Sequence, residues 1–201
     1  MTRFGARPQA RLGGGAFGGS SGGFTLVELM VTLAVAAVLV TLAVPGFGTL
    51  IRNNRLATAA NAFAASLSLA RSEAVKRAAV VGVCKSADGQ TCTSAGGWEQ
   101  GWLVFVDLDG DGLRQPTEEA LAVQGPLGGT VTLRGDAALR DRLAYGSTGF
   151  AQAPGGGPLS GLLVLCDDRG FGSQARGLVL SPSGRLSVMD ASAAGATSCT
   201  P

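Results

Sequence analysis

Three small groups of residues in this chain have the type and spacing to do chemistry. The first is Glu28, the single charged side chain between Phe24 and Val44. A carboxylate in hydrocarbon costs roughly 2.5 to 3.5 kcal/mol, so such a residue marks a function and needs a positively charged partner, here expected from another subunit. It is the fifth residue counting from Phe24, and Gly23 precedes that phenylalanine. The second group is Asp107, Asp109, Asp111 and Glu118. With Gly112 they occupy positions one, three, five, twelve and six of a calcium-loop spacing, in which short carboxylates converge on a hard cation while the glycine makes the sharp turn. The segment before the loop reads as a strand, and Pro116 intrudes before Glu118. An acidic, solvent-facing hairpin turn is therefore the competing reading, and calcium is the one candidate cofactor. The third group is Cys84, Cys92, Cys166 and Cys199.

Those cysteines take their meaning from compartment. Residues 1–23 are Gly-rich, carry Arg3, Arg7 and Arg11 and hold no acid, the pattern of a leader kept on the cytoplasmic side of a membrane by its charge. The rest of the chain then lies beyond the membrane, where an even cysteine count predicts disulfides. The expected pairs are Cys84 with Cys92, closing a short loop, and Cys166 with Cys199, tying down the last residues. A zinc site is the rival, but the chain lacks both Cys-x-x-Cys spacing and histidine. Without Arg3, Arg7 and Arg11, 13 basic side chains face 14 acidic ones, a net charge of −1, so no broad cationic surface for nucleic acid is expected. No nucleophile stands with a base in any recognisable pattern, and catalysis is not expected.

The elements that position these groups follow from periodicity. Residues 24–44 are close to the roughly 20 apolar residues that cross a bilayer as a helix. Pro45, Gly46 and Gly48 can kink or loosen a helix there without ending it. Leu56, Ala60, Phe63, Leu67, Ala70 and Ala74 then recur at spacings of four and three, an apolar stripe expected to cover a domain core rather than a lipid surface. After about Ala79 short apolar runs alternate with turn residues. Strands are predicted over residues 80–84, 102–106, 121–123, 131–133, 162–166, 178–180 and 186–188, with an exposed loop over 153–158. Trp102 alternates with Val104 and Val106 on one strand face, whereas Trp98 falls in a turn and is the expected surface contact. The predicted fold is α+β: a long N-terminal membrane helix continuing into an amphipathic helix packed on an antiparallel two-sheet β head. The expected segments are 1–23 (leader, cleaved), 24–44 (transmembrane and assembly helix), 45–78 (amphipathic helix) and 79–201 (extracytoplasmic head).

Gly23, Phe24, Glu28 and the span after them resemble the cleavage and assembly signal of the type IV pilin and pseudopilin superfamily. The later blocks Arg52-Asn53-Asn54-Arg55-Leu56, Leu69 to Arg77, Gly101 to Asp107 and Ser183-Gly184-Arg185 resemble the H-type pseudopilin and FimT-type minor pilin family, over nearly all of the chain after Phe24. The resemblance implies that a prepilin peptidase cuts after Gly23 and methylates Phe24, that Glu28 meets the amino terminus of a neighbouring subunit, and that Pro45 marks a place where the helix bends or melts. Implied partners are other pilin or pseudopilin subunits, the peptidase, an inner-membrane assembly platform and, before assembly, the lipid bilayer. The implied location is the inner membrane, single-pass with a periplasmic head, then the filament. The implied role is a non-enzymatic subunit of a type IV pilus initiation or tip complex, or of a type II secretion pseudopilus. DNA binding is a third reading. Some FimT-type pilins carry a second arginine two residues after the one matched by Arg185, but Ser187 stands there, leaving Arg185 with Arg176 as a helper. From Lys85 onward 8 basic residues face 12 acidic ones, which disfavours a polyanion.

Overall fold

Helix α1 (Leu26–Arg77) starts at Thr25, whose hydroxyl caps it, and its assignment runs on through Pro45, Gly46 and Gly48. The computed structural model describes residues 23–201, apart from the side chains of residues 42–46; of the expected leader, residues 1–23, all but Gly23 lie outside the described residues. The chain divides into two units, Met1–Val44 and Pro45–Pro201. In the described part of the first unit every side chain from Phe24 to Thr41 is exposed. Among the described residues no helix is long and apolar enough to cross a membrane; the described side chains of this segment stop at Thr41.

In the second unit the apolar stripe of α1 is the spine of the core. Leu56, Ala60, Phe63, Leu67, Ala70 and Ala74 are all buried, and Ala59 joins them. Two antiparallel sheets complete the head. Sheet A contains β1 (Val81–Lys85), β2 (Trp102–Val106), β3 (Ala120–Gln124), β5 (Arg142–Tyr145) and β6 (Ala151–Gln152) in the order β3-β2-β1-β5-β6. Sheet B contains β4 (Thr132–Gly135), β7 (Gly161–Cys166), β8 (Arg176–Leu180) and β9 (Leu186–Asp190) in the order β4-β7-β8-β9. Val83, Trp102, Val104 and Leu143 of sheet A and Leu133, Leu163, Leu165 and Leu178 of sheet B close around the helix stripe in one cluster. Phe63 is its hinge point, meeting the rings of Trp98 and Trp102 edge-on at 5.2 Å each.

Strands buried on one face only would alternate, yet β1 and β2 are buried at every position. The reason is a second, smaller cluster on the outer face of each sheet. Cys84, Leu103 and Phe105 are covered by the segment carrying Cys92, and Val164 and Cys166 by the C-terminal segment with Ala191, Ala196 and Cys199. Disulfides hold both covers: Cys84–Cys92 with Cα atoms 5.6 Å apart, and Cys166–Cys199 at 6.0 Å. No free cysteine remains for a metal. Gly82 sits opposite Phe105 across the ladder, and a Cβ there would meet the ring at 2.5 Å, so the aromatic fills the space that a side chain would otherwise take.

Two expectations are corrected. The head has nine strands instead of seven, because β5 holds no β-branched residue to mark it and β6 is only two residues long. Trp98 is not a surface contact: it is fully buried, at the start of a 3-10 turn (Trp98–Gln100), and its indole N–H donates to the Leu139 carbonyl at 2.8 Å. Its partner lies 41 residues away, so nothing local announces the burial. The expected exposed loop after β6 is present, with Gly155, Gly156 and Gly157 exposed and all at positive φ.

Candidate functional site

At the amino-terminal end, Thr25 Oγ1 accepts a hydrogen bond from the Glu28 N–H at 3.2 Å, and the Thr25 carbonyl accepts from the Leu29 N–H at 3.1 Å. Thr25-x-x-Glu28 thus has the spacing of a capping box, a signal that the sequence reading passed over. It places Glu28 in the first turn, where the helix dipole favours a negative charge. Phe24, directly before the cap, is 85% exposed. Among the described residues Glu28 makes no ion pair, so its carboxylate is free to meet a cation from elsewhere. Pro45 lies inside α1.

The acidic loop between β2 and β3 brings together three of its four expected carboxylates. Asp107, Asp109 and Glu118 each offer an oxygen within 4.8 Å of the others. Asp111 is spent locally, accepting from the Leu113 N–H at 2.6 Å. The two buried acids are held by the backbone: Asp107 accepts from the N–H groups of Gly110 (2.8 Å) and Gly112 (3.0 Å), and Glu118 from those of Leu108 (2.7 Å) and Gln115 (2.8 Å). Burial pushes the Asp107 carboxyl up, against the pull of those two donors, and the charges of Glu118 and Asp109 add to the push. The loop is therefore a turn that satisfies its own carboxylates, and nothing in its geometry requires an ion.

The basic residues are rearranged relative to expectation. Arg185 follows the tight turn between β8 and β9, where Gly184 has φ +80° and its carbonyl accepts from the buried Tyr145 hydroxyl at 3.1 Å. That tyrosine's pKa is pushed up to about 12 by burial. Arg176 is at the other end of the same hairpin, where the register sets it opposite Asp190 and the two form an ion pair. It therefore does not join Arg185; Arg71 of α1 does, in a cleft they both line. Sequence reasoning also missed Lys85. Its ammonium, buried at the end of β1, pairs with Asp141 at 2.8 Å and donates to the carbonyls of Gly96 (2.8 Å) and Ser94 (3.2 Å), pinning the loop that carries Cys92.

A two-sheet head built around a long helix, which opens on a capped, acid-bearing apolar segment, defines a type IV pilin-like subunit. The chain belongs to the type II transport protein GspH family, whose model matches residues 59–184. The prokaryotic N-terminal methylation motif matches residues 19–44. A curated relative, the pilin-like protein PilA1 of Thermus thermophilus, is 33% identical over 168 residues, covering 81% of this chain and 95% of its own length. Among solved structures the fold is similar to the type IV minor pilin FimU of Pseudomonas aeruginosa, with a TM-score of 0.51 and 22% identity over 73% of this chain and 96% of that one.

Proposed function

We propose that this chain is a non-enzymatic minor pilin, processed between Gly23 and Phe24, anchored in the inner membrane by residues 24–44 with its head in the periplasm, and assembled through α1 into the initiation or tip complex of a type IV pilus. The observation that carries this reading is Glu28: one exposed acid without an ion partner among the described residues, set in the first turn of an apolar helix as the fifth residue counting from the predicted new amino terminus, Phe24. In lipid that carboxylate is costly, and the ammonium of a neighbouring Phe24 removes the cost only when subunits come together. Assembly thereby gains what insertion loses. The partners are other pilin or pseudopilin subunits, the prepilin peptidase and the inner-membrane platform. Intact-mass analysis of the protein recovered from filaments tests the processing step. A chain beginning with methylated Phe24 is expected, and an intact leader in assembled protein would refute it.

The match to the GspH family model supports a second reading, a pseudopilin of a type II secretion system, which uses the same processing and the same fold. A deletion strain separates the two, because lost piliation with normal secretion fits the first and the reverse fits the second. A DNA-binding role rests on Arg185 without Arg176, which Asp190 already neutralises.

A further inference from the structure

We propose that the cleft between α1 and the β8–β9 turn is a docking surface for an acidic segment on the head of a neighbouring filament subunit, with Arg71 and Arg185 as its two recognition groups. Two separate stretches of sequence build it. From α1 come Ala64, Ser68 and Arg71, at spacings of four and three that align them on one face, and from the hairpin come Arg185 and Leu186. Tyr145 forms the wall behind them, fixed by its hydrogen bond to Gly184. Both arginines are exposed, and among the described residues neither makes a hydrogen bond or ion pair through its guanidinium. Arg52, Arg77, Arg134, Arg140, Arg169 and Arg176 each have a carboxylate within 4.0 Å. Arg55, Arg114 and Arg142 have none either, but Arg71 and Arg185 are brought together in one cleft, whereas Arg55 and Arg142 line separate ones. Over Pro45–Pro201 acids and bases balance at 13 each, so two neighbouring guanidinium groups left without a carboxylate form a gap in charge pairing that a carboxylate from outside fits.

The rim of the cleft says what kind of molecule carries that carboxylate. Gly149 packs against both Arg71 and Val75, a Cβ on it lying 3.3 Å from the Arg71 Nε and 3.1 Å from Val75. Next to it Phe150 is 57% exposed, and Val75 is 52% exposed. Two large apolar side chains beside two unpaired arginines make the composition of a protein contact centre, where aromatic and Arg side chains concentrate. The excess of acids from Lys85 onward, 12 against 8, opposes a nucleic acid on the same surface.

This inference rests on the filament reading, and the test separates the two. The full-length chain is expressed in its own filament-forming cells with a photo-cross-linking phenylalanine analogue at Phe150 or, as a reference on the assembly helix, at Val35. The expected result is a cross-link from position 150 to the head of another pilin-family subunit, in a peptide containing Asp or Glu. Its yield falls at least about tenfold in the Arg71→Glu/Arg185→Glu chain and partly in Arg71→Gln/Arg185→Gln, while the Val35 cross-link persists. Several results overturn it: a yield indifferent to charge reversal, a joined peptide without acids, or no cross-link at 150 while that at Val35 remains. Purified full-length protein binding duplex DNA in a manner lost in Arg71→Glu/Arg185→Glu would reassign the cleft to nucleic acid. Loss of both cross-links in the unmutated background would refute the filament reading itself, and this inference with it.

Discussion

Ala78 ends α1 in the left-handed region, at φ +51°, with its N–H donating to Val75 and that of Ala79 donating to Ala74. This is a Schellman cap with a side chain where glycine is favoured, so Ala78→Gly is expected to stabilise the head by about 1 kcal/mol, read from the denaturant midpoint. Glu118 is the opposite case. It accepts from two backbone N–H groups that have no other acceptor, and Glu118→Ala is expected to cost about 2 kcal/mol in the same measurement. Because that loop satisfies itself, millimolar calcium is expected to leave the thermal midpoint unchanged; a rise that Asp109→Ala abolishes would make it a calcium site. Acid should act through other carboxylates. Hydrogen bonds from Thr91 hold Asp88 well below its usual range, Arg169 lowers Asp167, and Arg77 lowers Glu73 and Glu119. Groups whose folded pKa is depressed contribute stability above their unfolded values, near 4, and lose it as pH falls through the folded ones. Asp107, pushed up, runs the other way, its contribution being lost as pH rises through its folded pKa. The sum should be a thermal midpoint that drops below about pH 4, more shallowly in Asp88→Asn.

At the scale of elements, the two disulfides do the same job on two sheets, each fastening a cover over an outer face. Replacing Cys166 and Cys199 by serine is expected to cost about 2 to 4 kcal/mol and to expose the Val164 face to faster hydrogen exchange, with sheet A protected as before. Loss of protection across both sheets would mean that the covers are not independent. How legible these elements were depended on how local their signals are. The α1 stripe could be read residue by residue, since a period of 3.6 is written within one segment and each of its six positions is buried. Arg142–Tyr145 could not, because it holds no β-branched residue, unlike each of the seven runs that were read, and the strand exists by pairing with β1. Trp98 and Lys85 were missed for a related reason: their partners, Leu139 and Asp141, are brought to them only by the fold. The cysteine pairs were legible from count and compartment, but the outer-face clusters they protect were not.

At the scale of the whole molecule, sequence motif and structure divide the work. The capped first turn presents Glu28, the apolar side chains from Leu26 to Leu39 are exposed, and two disulfides fasten the covers of the head. The pilin-like class was legible from a linear signal, Gly23-Phe24 and then Glu28, and the narrower family from later linear blocks such as Leu69 to Arg77 and Gly101 to Asp107. The pairing of Arg71 with Arg185 was not, because it joins a helix to a hairpin more than a hundred residues later. If assembly through the N-terminal helix is the central function, its energy passes through one carboxylate. The direct measurement is the fraction of Glu28→Ala chain recovered in sheared filaments, compared with the unmutated chain at equal membrane abundance. Membrane levels equal to or above the unmutated chain, with filament content lowered at least about tenfold, are predicted; incorporation of Glu28→Ala at the unmutated level would contradict it.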